Sequence, residues 1–196
     1  MDTMNELIAY VGQKMFERRL TDFSGGNVSA RQGSRIYVTP RYAGSKYHWN
    51  LKPEQVLSSE LDSDELLSHP EFSREGKAHL GILRAYPMVG GIIHAHSFNI
   101  QPFVAARRPI EPVLEATQKF GVINLVEHHP AHSARLAEVI VAGFQGQEER
   151  IQKQAAALLI PTHGIFVAAK DLLSALDALE RIDWNCWCII AGRMLG

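Results

Sequence analysis

Val89-Gly90-Gly91-Ile92-Ile93-His94-Ala95-His96 decides how the rest of the chain is read. The run is short, mostly apolar and bounded by Pro87, so it predicts a buried strand rather than a helix. Before it, Ser73 can cap a helix over residues 74–86, with Pro87 marking its end. After it come a helix over 99–106, a strand over 122–126 and a helix over 131–144 that breaks at Gly146. Strands over 156–160 and 165–168 then flank Pro161-Thr162-His163-Gly164. Asp171 caps a last helix in which Leu172, Leu176, Leu179, Ile182 and Cys186 recur at helical spacing. Upstream, Thr3 and Glu6 form a capping-box pattern for a helix over 3–19. A loop over 21–27 leads into a hairpin, with runs 28–31 and 35–39 around Gln32-Gly33-Ser34. Residues 40–53 have no period and read as a long loop, a feature that often carries function. Strands and helices intermix without repeat or linker. This predicts a single α/β domain over residues 1–196, with helices on both faces of a sheet.

Composition narrows the function. The chain has 196 residues with 20 Lys plus Arg, 21 Asp plus Glu and a net charge of −1. That balance argues against a nucleic-acid coat, which shows a basic excess. No run reaches the roughly 18 apolar residues of a membrane helix. Asp2, Glu6, Lys14, Glu17, Arg18 and Arg19 interrupt any apolar leader, so a cytoplasmic protein is expected. Cys186 and Cys188 point to different sides of a helix and read as free thiols. The unusual count is nine histidines.

On a strand, His94 and His96 face the same side, about 6–7 Å apart at Cα, so two imidazoles can converge on one divalent ion. A catalytic zinc takes three protein ligands and keeps an open position. The alternative is a pair of half-buried histidines satisfied by hydrogen bonds. His163, in a Thr-His-Gly turn, is a candidate third ligand; His79 and the cluster His128, His129 and His132 are rivals that spacing does not separate. Glu75, at the head of the helix before the ligand strand, suits a metal ligand, a general base or a favourable helix N-terminal charge. Ser24-Gly25-Gly26-Asn27 suits either an anion cradle or a plain turn.

In order along the chain, these segments resemble the class II aldolase/adducin family. The matching motifs are Gly25-Gly26-Asn27-Val28-Ser29, Thr39-Pro40, Ser73-Arg74-Glu75, His94-Ala95-His96 and Thr162-His163-Gly164, over nearly the whole chain. The resemblance implies a central, mainly antiparallel sheet between helices, and a homotetramer with sites at subunit interfaces. It implies a divalent metal, usually Zn²⁺ with Mn²⁺ or Co²⁺ as alternatives, on His94, His96 and His163. It places a sugar phosphate on Gly25, Gly26, Asn27, Thr39 and Ser73; Arg74, whose planar fork suits phosphate, stands where many members have Ser and is a further candidate cation. Glu75 would be the acid/base of an aldolase that cleaves a ketose phosphate through a metal-stabilised enediolate. Epimerase, decarboxylase and dehydratase chemistry can use the same site, and a non-catalytic adducin-like interaction domain is the remaining alternative. The family's aldolases place a catalytic Tyr after His-x-His. The corresponding stretch here is Pro112-Val113-Leu114-Glu115, which makes Glu115 the alternative proton donor.

Overall fold

The computed structural model describes residues 3–195. Its centre is one antiparallel sheet of β1 (Asn27–Gln32), β2 (Arg35–Val38), β3 (Leu57–Glu60), β4 (Gly91–Ala95), β5 (Ala155–Ile160) and β6 (Gly164–Ala169). The strand order is β3-β2-β1-β4-β6-β5. The run around His94 thus lies near the middle of the sheet, paired with β1 and β6. Register sets Asn27 opposite His94 and His94 opposite Phe166. Residues opposite one another in such pairs share a face, so these three side chains are neighbours.

Side-chain alternation gives the sheet two apolar faces, and helices cover both, as expected. Val28, Ala30, Ile93, Ala95, Ile165 and Val167 pack with α1 (Met4–Glu17) and α7 (Leu172–Gly192). Ile36, Val38, Ile92, Phe166 and Ala168 pack with α3 (Gly76–Ala85) and α5 (Ala134–Gly143). Short helices α2 (Glu65–Ser68), α4 (Gln101–Ala105) and α6 (Glu148–Lys153) fill the connections. The cap signals act as written: Thr3 and Glu6 close a capping box on α1, and the Asp171 carboxylate accepts the Ser174 N–H of α7. Cys186 is buried and Cys188 partly so, both as free thiols.

Three sequence expectations change. Residues 122–126 do not form a strand: Ile123 bridges Ile110 and Leu125 bridges Leu159, and the chain then turns away before Pro130. β3 was not foreseen, because Leu-Ser-Ser-Glu carries almost no apolar signal; it is held by its pairing to β2 and by Arg35 on Glu60 at 2.6 Å. The helix expected over 74–86 begins at Gly76, with Glu75 as its N-cap residue and Ser73 two residues earlier.

The 40–53 segment is a packed series of turns rather than an open loop. Tyr42, His48 and Trp49 all have positive φ, a conformation that costs side-chain-bearing residues energy and persists only under outside contacts. Trp49 supplies one. It is fully buried against Gly12 of α1, and its indole N–H donates to the Asp22 carbonyl at 2.7 Å. Phe23 continues the seam, stacked between Phe16 and His48. The two loops that flank the sheet end are thereby locked together. Trp49→Ala should cost about 3–5 kcal/mol of stability, the usual range for a buried aromatic. Urea unfolding checks this; a loss below about 1 kcal/mol would mean that the indole is not part of the core.

Candidate metal centre

The C-terminal end of β4 delivers His94 and His96 to one cleft, and the tight turn between β5 and β6 delivers His163. Ring centroids lie 5.2 Å apart for His94–His96, 4.8 Å for His94–His163 and 5.2 Å for His96–His163. One nitrogen from each ring lies within 4.8 Å of the others. Gly164 makes this convergence sterically feasible: a Cβ there would stand 2.4 Å from the Ala95 carbonyl oxygen and 3.1 Å from His94 Cε1. Thr162, just before His163, is held at φ 60°, an uncommon state for a β-branched residue. The turn is anchored by Thr162 N–H to Val104 O and by the Gln101 side chain to the His163 carbonyl.

The hydrogen bonds leave ring lone pairs facing the cleft. The Ile165 carbonyl can only accept, so His94 Nδ1 carries the proton of that 3.0 Å bond and Nε2 is free to ligate. His96 Nδ1 faces Ser24 Oγ at 3.1 Å and Asp22 Oδ1 at 3.4 Å. The Ser24 hydroxyl already donates to Asp22, so it accepts from His96, whose Nε2 is left buried without a hydrogen-bond partner. His163 Nδ1 is likewise buried and unpartnered. Unpaired buried nitrogens are costly, and a divalent ion satisfies them. Burial pushes the pKa of His94 well below 6.5, with His163 and His96 adding to the effect. It takes His163 to about 4, and it lowers His96 against the opposing pull of Asp22. All three rings are therefore neutral at pH 7, the form a metal binds. The donor set fits a divalent ion.

Glu75 faces this triad. Its carboxylate is buried, and its Oε1 accepts the His132 backbone N–H at 3.1 Å. His132 Nδ1 lies 2.8 Å from the same oxygen, but off a hydrogen-bonding line. His132 therefore enters the cleft as a neighbour of Glu75, 6.4 Å from the His163 ring, not as a fourth member of the triad. Of its sequence neighbours, His129 lies 3.5 Å from Glu127, and none of the cluster joins another group with metal-ligand geometry among the described residues.

The proposed anion-binding residues divide. Gly25, Gly26, Asn27, Ser73 and Arg74 line the cleft. Gly26 sits at φ 101°, where any Cβ would also strike Thr21 Oγ1 at 2.7 Å, so only glycine fits. Thr39 is not brought into the cleft: it is fully buried behind the loop, its hydroxyl accepting the Val28 N–H. Glu115 is also left out, exposed at the start of a 3-10 helix (Glu115–Phe120) that packs against α7. Sequence reading missed the place of two cleft residues, His132 and Arg41, and of Asp22 behind His96. Asp22 was visible as the head of an Asx turn, since its carboxylate collects the Ser24 and Gly25 N–H groups. His132 was visible only as one of three clustered histidines, and Arg41 carried no local signal. Arg41 stacks over Tyr42 at 4.6 Å with its Nε buried and unpartnered, adding a second guanidinium to Arg74 at the cleft.

One buried histidine sits behind the cleft. His79 is fully buried, and desolvation lowers its pKa from 6.5 to about 3. Below pH 6.5 the unfolded chain holds a proton there that the folded chain refuses, so stability falls as pH drops toward 3 and is fully present above 6.5. Between pH 7 and 5 this one group should remove about 2 kcal/mol. Urea unfolding of the metal-free protein should show a correspondingly smaller pH loss for His79→Gln than for the parent. Identical pH slopes would contradict a neutral buried imidazole.

Residues 6–190 match the class II aldolase and adducin N-terminal domain family. The chain is 28% identical over 172 residues to the L-fuculose phosphate aldolase of Methanocaldococcus jannaschii, covering 87% of each. It is 26% identical over 189 residues to the 3-oxo-tetronate 4-phosphate decarboxylase of Haemophilus influenzae, covering 91% of this chain and 82% of that protein. Its fold superposes on the L-fuculose-1-phosphate aldolase of Thermus thermophilus with a TM-score of 0.81 at 17% identity, covering 97% and 94%. With the ordered motifs, the sheet and the histidine cleft in place, the match settles the family: this chain belongs to the class II aldolases and adducin N-terminal domains.

Proposed function

We propose that the protein is a metal-dependent aldolase that cleaves a ketose phosphate, with Zn²⁺ as the resident ion on His94, His96 and His163. The observation that carries this reading is the pairing of three desolvated, neutral imidazoles with one buried carboxylate across a narrow cleft. Imidazole donors suit Zn²⁺, with Mn²⁺ and Co²⁺ weaker fits to the same set. When bound, the ion supplies Lewis acidity toward a substrate carbonyl and hydroxyl. The chain's own groups do the rest. Glu75 takes and returns the proton, with the partly exposed His132 ring beside it. The Gly25-Gly26 backbone, Asn27 and Ser73 receive the phosphate, with Arg74 and Arg41 contributing the planar donor forks that suit phosphate oxygens.

A second reading is decarboxylation of a keto sugar acid phosphate. The Haemophilus influenzae relative and the two guanidiniums at the cleft favour it, since such a substrate carries two anionic groups. We place the enzyme in the cytoplasm as a homotetramer. Exposed Phe98, Trp184 and Trp187 near one groove support self-association, and Glu115 would reach a cleft only from a neighbouring subunit. Among the described residues no helix is long and apolar enough to cross a membrane.

Release of dihydroxyacetone phosphate from a panel of ketose 1-phosphates, and of CO₂ from 3-oxo sugar acid phosphates, separates the two readings. Glu75→Gln should keep its fold and bound metal while kcat falls by about 10²–10⁴-fold. Near-normal turnover with a lowered melting temperature would make Glu75 a structural residue.

A further inference from the structure

We propose that His79 is a positioning residue for the anion end of the cleft, acting through Asn27 to hold the Ser73 hydroxyl as a hydrogen-bond donor toward substrate. The inference rests on the reading that this end receives a phosphate group.

His79 lies one turn into α3 from Glu75, with its ring against Phe166 and between two side chains on the same face of β1. Its Nε2 is 2.7 Å from Asn27 Oδ1, and its Nδ1 is 2.7 Å from Ser29 Oγ. Asn27 Nδ2 continues the line to Ser73 Oγ at 2.8 Å, and the Glu75 backbone N–H reaches the same oxygen at 3.3 Å. Four side chains from β1, α3 and the turn before α3 thus form one buried relay that ends at the cleft.

The direction of every proton in the relay is a single choice. Asn27 Oδ1 only accepts, so His79 carries its proton on Nε2. Nδ1 then accepts, and Ser29 donates to it. At the far end, Ser73 Oγ accepts from Asn27 Nδ2 and from Glu75 N–H, which occupies both of its lone pairs. Only its O–H remains, and Ser73 lines the cleft. A hydroxyl left only its O–H suits an anionic oxygen, which accepts and makes the stronger, charge-assisted hydrogen bond.

The opposite choice reverses each bond. With the proton on Nδ1, Nε2 would accept from a flipped Asn27 amide, and Oδ1 would draw the Ser73 hydroxyl out of the cleft. Ser29 breaks the tie. It is fully buried, and in the reversed arrangement its O–H would lose the only partner it has among the described residues. A buried donor without a partner is penalised. Ser29, well away from the cleft lining, therefore biases the tautomer of His79, and His79 sets the polarity of Ser73.

Two measurements on the metal-loaded protein test this. Nitrogen-15 shifts of the His79 ring at pH 7 should show the Nε2–H tautomer. Calorimetric titration with inorganic phosphate should show His79→Met binding about tenfold more weakly, the loss of roughly one hydrogen bond to an anion. His79→Gln, which restores a donor to Asn27, should recover most of that loss. In an Asn27→Ala background, His79→Met should have no further effect, because the relay is already cut. An Nδ1–H tautomer overturns the proposal, as does unchanged phosphate affinity in a folded His79→Met, or a full additive loss in the double variant. A parent protein that binds no phosphate at all overturns it too, and does so by removing the phosphate reading beneath it. Phosphate binding by the parent with the wrong tautomer removes the relay alone.

Discussion

Desolvation of three imidazoles at one end of a sheet is the constraint on which the structure turns. A buried ring nitrogen without a hydrogen-bond partner is unfavourable, and here two such nitrogens stand together on His96 and His163. The fold tolerates them because everything around them is fixed from outside. His94 is oriented by the Ile165 carbonyl, His96 by Ser24 and Asp22, and His163 by a strained turn anchored to α4. His94 and His96 each spend one nitrogen on the protein and leave the other free, while His163 leaves its buried Nδ1 unpartnered. This division of labour is what a metal centre requires of its supporting groups.

The surrounding architecture serves that geometry. Pairing of β4 with β6 brings His94 and His163 together although they are far apart in the chain, and pairing with β1 sets Asn27 beside His94. The start of α3 then brings Ser73 and Glu75 to the same cleft. Trp49 ties the 40–53 turns to the glycine loop, so the glycine end and the histidine end of the cleft are held in one frame. The polar groups are not scattered around the site. They fall into two sets, the exposed Asp22 and Ser24 beside His96 and a buried line running from Ser29 to Ser73.

Local chemistry was readable in the sequence, and long-range placement was not. The capping residues Thr3 and Asp171 and the strand at His94 follow from neighbours within four residues. The His-x-His pair followed from strand periodicity alone. The choice of His163 over His79 and His132 did not, because it depends on β4–β6 register, which spacing cannot encode. Thr39 matched a motif yet spends its hydroxyl on the backbone of Val28, and Glu115 stands on a segment that packs away from the cleft. β3 escaped notice because Leu57-Ser58-Ser59-Glu60 is defined by its partner strand rather than by its own residues. Arg41 was hidden in a stretch without period, where positive-φ turns place side chains in ways that no repeat announces.

The central claim is that His94, His96 and His163 form one metal centre and that the remaining histidines do not. Elemental analysis of the purified protein tests it most directly, with His163→Ala and His129→Ala prepared in parallel. The account predicts about one divalent ion per chain in the parent, the same in His129→Ala, and nearly none in His163→Ala. Full metal content in a folded His163→Ala, or its loss in His129→Ala, would contradict it.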